Sequence, residues 1–137
     1  MKTIIVGYDG TDPAKRALER AVEIAKAFDS KLVITSVGAV TTPAGGRSLG
    51  ADPQDETPVV LGDLADAKSY LDEHGLAADY IEAVGHPADS IVAAAEDRDA
   101  DMIVVGTREL GAVQRLLGAS VSDGVTRRAH CDVLIVH

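Results

Sequence analysis

The chain has a single cysteine, Cys131, so no disulfide can form within it. Beside an apolar run that residue reads as a small buried side chain rather than a nucleophile. No apolar stretch approaches the roughly eighteen residues of a membrane span. Met1-Lys2-Thr3-Ile4 leads straight into a strand pattern, with no secretory signal, and the expected location is the cytoplasm. Paired Ser-His-Asp, Cys-His and His-x-x-x-His arrangements are all missing. These absences argue for a binding protein rather than an enzyme and leave only weak ATP hydrolysis open. No Gly-x-Gly-x-x-Gly follows the first strand, which argues against a dinucleotide-dependent dehydrogenase. Basic residues are also short: 13 Lys and Arg against 22 Asp and Glu, a formal net charge of −9. The acidity concentrates between positions 51 and 101, where fourteen acidic residues face two basic ones. Such a surface repels nucleic acid and anionic membrane, and neither is expected as a partner.

What remains is an ordinary globular composition, 46% hydrophobic and 26% charged, in a chain of 137 residues. That is one domain, spanning 1–137, with material for a sizeable core. Short, partly β-branched apolar runs at 3–8, 31–37, 79–84, 101–105 and 132–137 predict five strands. Their near-continuous hydrophobicity fits strands buried on both faces. Between them lie helical signals. Asp12-Pro13 opens a helix in which Ala17, Leu18, Ala21, Ile24, Ala25 and Phe28 share the inward face. A second helix runs from Pro58 to a glycine stop at His74-Gly75, with Val60, Leu64, Ala67 and Leu71 inward. Gly85-His86-Pro87 opens a third that turns Ile91, Ala94 and Ala95 inward, and His86 reads as a turn residue. Val121, Val125 and Ala129 mark the last. Strict alternation of strand and helix demands an α/β fold: a doubly wound, five-stranded parallel sheet with helices on both faces. Residues 38–57 show no period and form a long irregular loop.

In such sheets a ligand sits beyond the carboxyl ends of the strands, where the strand order reverses. That gathers Gly7, Tyr8, Asp9 and Gly10, then Val37, then Val105 and Gly106. Asp9 suits either a ribose hydroxyl or the capping of its own turn. Gly106 ends the fourth strand, and about a dozen residues later Gly118, Ala119, Ser120 and Val121 open a helix. A strand, a loop of small residues and a helix start make the layout of an anion site. A phosphoacceptor receiver domain of similar fold needs an Asp closing the third strand and a Lys after the fifth. Here Val84-Gly85 and His137 stand instead.

Several segments together resemble the universal stress protein family over essentially the whole chain: Ile4-Ile5-Val6-Gly7-Tyr8-Asp9-Gly10, Gly85-His86-Pro87-Ala88-Asp89-Ser90-Ile91, Ala100-Asp101-Met102-Ile103-Val104-Val105-Gly106-Thr107-Arg108, Leu116-Leu117-Gly118-Ala119-Ser120-Val121-Ser122 and Cys131-Asp132-Val133-Leu134-Ile135-Val136. The resemblance implies an adenine-nucleotide α-hydrolase-like fold and a homodimer paired through strand 132–137. It also implies an adenine nucleotide (AMP, cyclic AMP or ATP, the last with Mg) in some members and none in others, which act as interaction modules. Adenine and ribose contacts would fall on Gly7, Asp9, Val37, Val105 and Gly106. The nucleotide-binding members are similar in a pattern of Gly, two residues, Gly, nine residues, then Gly followed by Ser or Thr. Gly106 and Ser120 match its ends, while Glu109 and Ala119 replace its second and third glycines and Gly118 stands one place early. A carboxylate at 109 opposes phosphate; Arg108 and Arg115 suit either an offsetting contact or, as is commoner for loop arginines, plain solvation. The expected ligand is therefore AMP or cyclic AMP ahead of ATP.

Overall fold

A computed structural model describes residues 1–39, 57–107 and 121–137. Along the chain run β1 (Thr3–Gly7), α1 (Asp12–Phe28), β2 (Lys31–Ala39), α2 (Thr57–Glu73), β3 (Ala78–Gly85), α3 (Pro87–Asp97), β4 (Met102–Gly106), α4 (Val121–Arg128) and β5 (Asp132–Val136). The strands form one sheet in the order β3-β2-β1-β4-β5, and every neighbouring pair is parallel. The doubly wound expectation is met. The chain moves outward from β1 to β3 and then crosses back to β4, so the order reverses between β1 and β4.

Alternation along each strand divides the core into two layers. Ile4, Val6, Tyr8, Leu32, Ile34 and Val104 face α1 and α2, meeting Ala14, Ala17, Leu18, Ala21, Leu64, Ala67 and Leu71. Ile5, Val33, Ile103 and Val105 face α3 and α4, meeting Ala88, Ile91, Val92, Ala95 and Val125. Eight of these strand side chains, all but Tyr8 and Val105, are fully buried, which explains why their runs show no polar interruption. β3 is an edge strand and carries Asp79 and Glu82, hence its fainter signal.

Three expectations need correction. Phe28 does not face the core: it ends α1 and is 58% exposed. The helix stops there because Asp29 turns left-handed (φ 55°) and returns its N–H to the Ala25 carbonyl, leaving Phe28 beyond the sheet. Val22, absent from the predicted inward set, is buried in its place. Strand β2 continues past Val37, since Gly38 and Ala39 pair with Val84 and Gly85 of β3. Thr57 already belongs to α2. The expected loop is thereby shortened at both ends, and residues 40–56 lie outside the described residues. The glycine stop of α2 is seen as expected, with Gly75 at φ 72° and Leu76 N–H bonded to the Leu71 carbonyl at 2.9 Å.

Two carboxylates tie the amino-terminal end of the sheet. Asp101 accepts from the backbone N–H groups of Lys2 (2.7 Å) and Thr3 (3.0 Å). The Thr3 and then the Lys2 bond hold its acid below the usual carboxylate range. Asp79 accepts from Lys31 Nζ (2.9 Å) and Arg98 Nη1 (3.1 Å), joining the starts of β2 and β3 to the end of α3.

Candidate functional site

At the point of strand reversal the carboxyl ends of β1 and β4 lie side by side. Gly7 pairs with Thr35 of β2, and one step along from the Val6–Val104 pair it stands beside Val105. The pairing of β1 with β2 runs one residue past the strand, through Tyr8 N–H to the Thr35 carbonyl (2.9 Å). Past β4, Thr107 N–H bonds the Val136 carbonyl at 2.9 Å, so the exit from Gly106 is directed along β5. The backbone of Val37 lies in β2 two residues beyond Thr35. Gly7, Asp9, Val37, Val105 and Gly106 therefore share one end of the sheet. Arg108, Glu109, Gly118, Ala119 and Ser120 lie outside the described residues. Val121 begins α4, and its side chain packs against the α3–α4 layer of the core.

The two glycines here are fixed by protein as well as by any ligand. A Cβ on Gly106 would come within 2.4 Å of the carbonyl carbon and oxygen of Pro13 and 2.9 Å of Ala14 N. Only glycine lets the end of β4 press against the first turn of α1. A Cβ on Gly7 would come within 2.7 Å of Ile91 Cδ1, the far end of a flexible side chain. Gly124 was not singled out in the sequence, yet its Cβ would meet Ala88 Cβ at 2.6 Å, so it sets the close approach of α4 to α3. Its signal was a glycine inside a helical segment, where it lowers propensity and has to be kept for a packing reason.

Asp9 is exposed and engaged in its own turn. Its Oδ1 accepts from Thr11 N–H (3.1 Å) and from the Thr11 hydroxyl (2.6 Å). The same hydroxyl oxygen accepts from Ala14 N–H at 3.3 Å and so caps α1, whose second residue is Pro13. The turn-capping role of Asp9 is thus observed. Sequence reasoning stopped at Asp12-Pro13 and passed over Thr11, although Asp-x-Thr before Asp-Pro is a readable turn-and-cap pattern. Near the same end, Arg16 Nε donates to the His137 carbonyl at 3.0 Å, tying α1 to the strand on the far side of β4.

Beneath this surface two hydroxyls of β2 are fully buried. Thr35 Oγ1 and Ser36 Oγ have no hydrogen-bond partner among the described residues. Polar groups are rarely buried unbonded, since each forfeits its water. His86 caps no amide: it precedes α3 without a side-chain bond, as a turn residue should. Among the described residues no group of three His, Cys, Asp or Glu could hold a metal, and no helix is long and apolar enough to cross a membrane. A cavity of about 310 Å³ lies at the opposite end of the sheet, lined by Val92, Glu96, His130 and Cys131 among others. Burial, and then Asp132 and Asp101, push the Cys131 thiol above its ordinary value, which opposes its use as a nucleophile.

Comparison with known proteins adds a frame. The model of the universal stress protein family matches residues 1–137. A universal stress protein of Mycobacterium tuberculosis is 40% identical over 146 residues, covering 99% of this chain and 96% of that protein. Among solved structures, a universal stress protein in complex with cAMP is 32% identical at a TM-score of 0.68, covering 99% of this chain and 97% of the other. One from Archaeoglobus fulgidus is 26% identical at a TM-score of 0.77, covering 100% and 99%.

Proposed function

The chain belongs to the universal stress protein family, and from that premise we propose that it is a regulatory protein that binds an adenine nucleotide and does little or no catalysis. The observation that carries this reading is the convergence of Gly7, Asp9, Val105 and Gly106 on the strand reversal beside the first turn of α1. The relative solved with cAMP supports the ligand class. The base and ribose would lie on the backbone at the ends of β1 and β4, and Asp9 offers an acceptor for a ribose hydroxyl. Phosphates would pass toward residues 106–121, where Glu109 replaces an expected glycine. A carboxylate there disfavours each added phosphate charge, which ranks AMP and cyclic AMP above ATP. Magnesium would arrive with the phosphates of ATP. Mass spectrometry of the small molecule that co-purifies, followed by thermal shift with a nucleotide panel, tests the reading. A co-purified adenosine monophosphate supports it, and no shift with any adenine nucleotide contradicts it.

A second reading has its own observation. Because the space beside Gly7 and Gly106 is filled by Ile91 and Pro13, both glycines have packing reasons that owe nothing to a ligand. A homodimeric interaction module with no nucleotide would keep them too. In either reading we expect pairing through residues 132–137, since β5 is the outermost strand and Val133, Leu134, Ile135 and Val136 are only partly covered. Cytoplasmic location fits the reading.

A further inference from the structure

The two helices that cover one face of the sheet, α3 and α4, differ in length. They meet where Gly124 of α4 lies against Ala88 of α3, and Arg128 pairs with Asp89 beside that contact. α4 ends at Arg128, about one turn past Gly124, whereas α3 continues to Asp97, more than two turns past Ala88. From Val92 onward α3 lies beyond the reach of α4, and a cavity of about 310 Å³ opens there. Its near wall is Val92, Ala95, Glu96 and Asp99, the spacing of one helical face, and its far wall is the turn Ala129-His130-Cys131 into β5. We infer that this cavity, at the opposite end of the sheet from the strand reversal, is a second ligand site for a small organic ammonium. The ligand class is a single ring or short alkyl body bearing a protonated amine, and it does not depend on nucleotide binding.

Small-molecule sites run from roughly 300 to 1,000 Å³, so this one holds little more than one ring. Val92 and Ala95 are buried, and Ala100, Ala129 and Cys131 pack on the same core layer, which gives the cavity an apolar floor. Charge decides the head group. Glu96 and Asp99 bring two carboxylates to the rim, and the Asp99 carboxylate has no hydrogen bond or ion pair among the described residues. Glu96 is met by His130, whose Nδ1 lies 3.2 Å from Oε2 but whose side chain is 82% exposed. An imidazole so exposed can leave Glu96 to an incoming ammonium. Asp132 and Asp101 add to the acidity, since both reach the Cys131 thiol and join burial in pushing it up. Nearby cations are turned elsewhere: Arg98 to Asp79, Arg128 to Asp89, and Lys2 acts on Asp101. An apolar floor under a negative rim attracts an amine and repels the phosphate of a nucleotide.

Cys131 is the single cysteine of the chain and lines the cavity, so its thiol reports on what enters. The experiment follows its reaction with 4,4′-dithiodipyridine, a neutral reagent, in the full chain as 2-phenylethylamine is titrated in. 2-Phenylethanol, nearly the same shape without the charge, is the comparison. Even at the modest efficiency of drug-sized ligands, the nine heavy atoms of the amine give half-protection at roughly 10 mM or below. The amine should slow the reaction saturably, at about ten-fold lower concentration than the alcohol, the scale of a hydrogen bond to a charged group. Glu96→Gln and Asp99→Asn keep the volume and remove the charge. Both positions are exposed, and asparagine tolerates the left-handed backbone of Asp99 (φ 53°), so both variants should fold. Combined, they should bring the preference for amine over alcohol to within about two-fold of unity. Each preference is taken within one protein, so any change in the reactivity of the thiol itself cancels. No protection by the amine at that concentration, or equal protection by amine and alcohol in the parent, overturns the inference. A double variant that keeps the parent's preference overturns it too, because the carboxylates then do not choose the ligand.

Discussion

A methyl group at position 106 would meet the backbone of Pro13, which cannot move without shifting the whole first turn of α1. Gly106→Ala should therefore destabilise the protein by about 1–3 kcal/mol, the usual cost of forcing extra volume into a packed site. Gly7→Ala should cost less, since Ile91 can change rotamer. Urea denaturation of both variants checks the order, and equal losses would mean that Pro13 yields as easily as Ile91. Thr35 allows the opposite experiment. Its hydroxyl is fully buried and unbonded among the described residues, so the fold carries a desolvation cost of about 1–3 kcal/mol there. Thr35→Val, nearly the same shape, should raise the urea midpoint. A lowered midpoint would show that the hydroxyl is satisfied in solution. At this scale the sequence was partly legible. Gly7, Asp9 and Gly106 stood out because glycine and aspartate after an apolar run have few other reasons to be there. Their protein contacts were not legible, since Ile91 and Pro13 come from elements far along the chain.

The sheet's amino-terminal end is held by carboxylates that join separate elements, and this sets its behaviour in acid. Asp79 is held below its ordinary value of 3.8, first by the hydrogen bond and charge of Lys31 and then by Arg98. An acid whose folded value is depressed stabilises the fold fully above the unfolded value and loses that contribution as pH falls through the folded one. Stability should therefore decline below about pH 4 as the ties of Asp79 and Asp101 are protonated. Asp79→Asn should flatten the decline, and added salt should weaken the parent's advantage because the pair is exposed. Denaturant midpoints between pH 2 and 6, at low and high salt, provide the check. An unchanged slope in Asp79→Asn would assign the acid limb to other groups. Elements themselves read well from sequence where burial on both faces makes a strand uniformly apolar, as in β1 and β4. They read less well at their ends. Phe28 kept helical spacing but lies past the sheet, and Gly38 and Ala39 looked like loop yet pair with β3. Helical period says which face is apolar, not where the surface beneath it stops.

For the molecule as a whole, alternation of strand and helix sufficed for the fold, and strand reversal was enough to say which end the candidate residues Gly7, Asp9, Val105 and Gly106 share. The outer position of β5 was legible only as an edge without a cover. Leu134→Pro, which removes a ladder donor there, should convert a dimer to a monomer by light scattering. A parent that is already monomeric at micromolar concentration would contradict the edge-pairing proposal. The proposed ligand preference rests on one of the departures that the sequence exposes, Glu109 in place of glycine. The most direct measurement is calorimetry of ATP, AMP and cyclic AMP against the parent and Glu109→Gly. A single close charge repulsion at a partly solvated site is worth about 1 kcal/mol, or roughly five-fold in affinity. The parent should bind AMP or cyclic AMP more tightly than ATP, and Glu109→Gly should recover about that five-fold for ATP. A parent that prefers ATP, or a variant that leaves the ratio unmoved, contradicts the account, and a parent that binds none of the three supports the interaction module in its place.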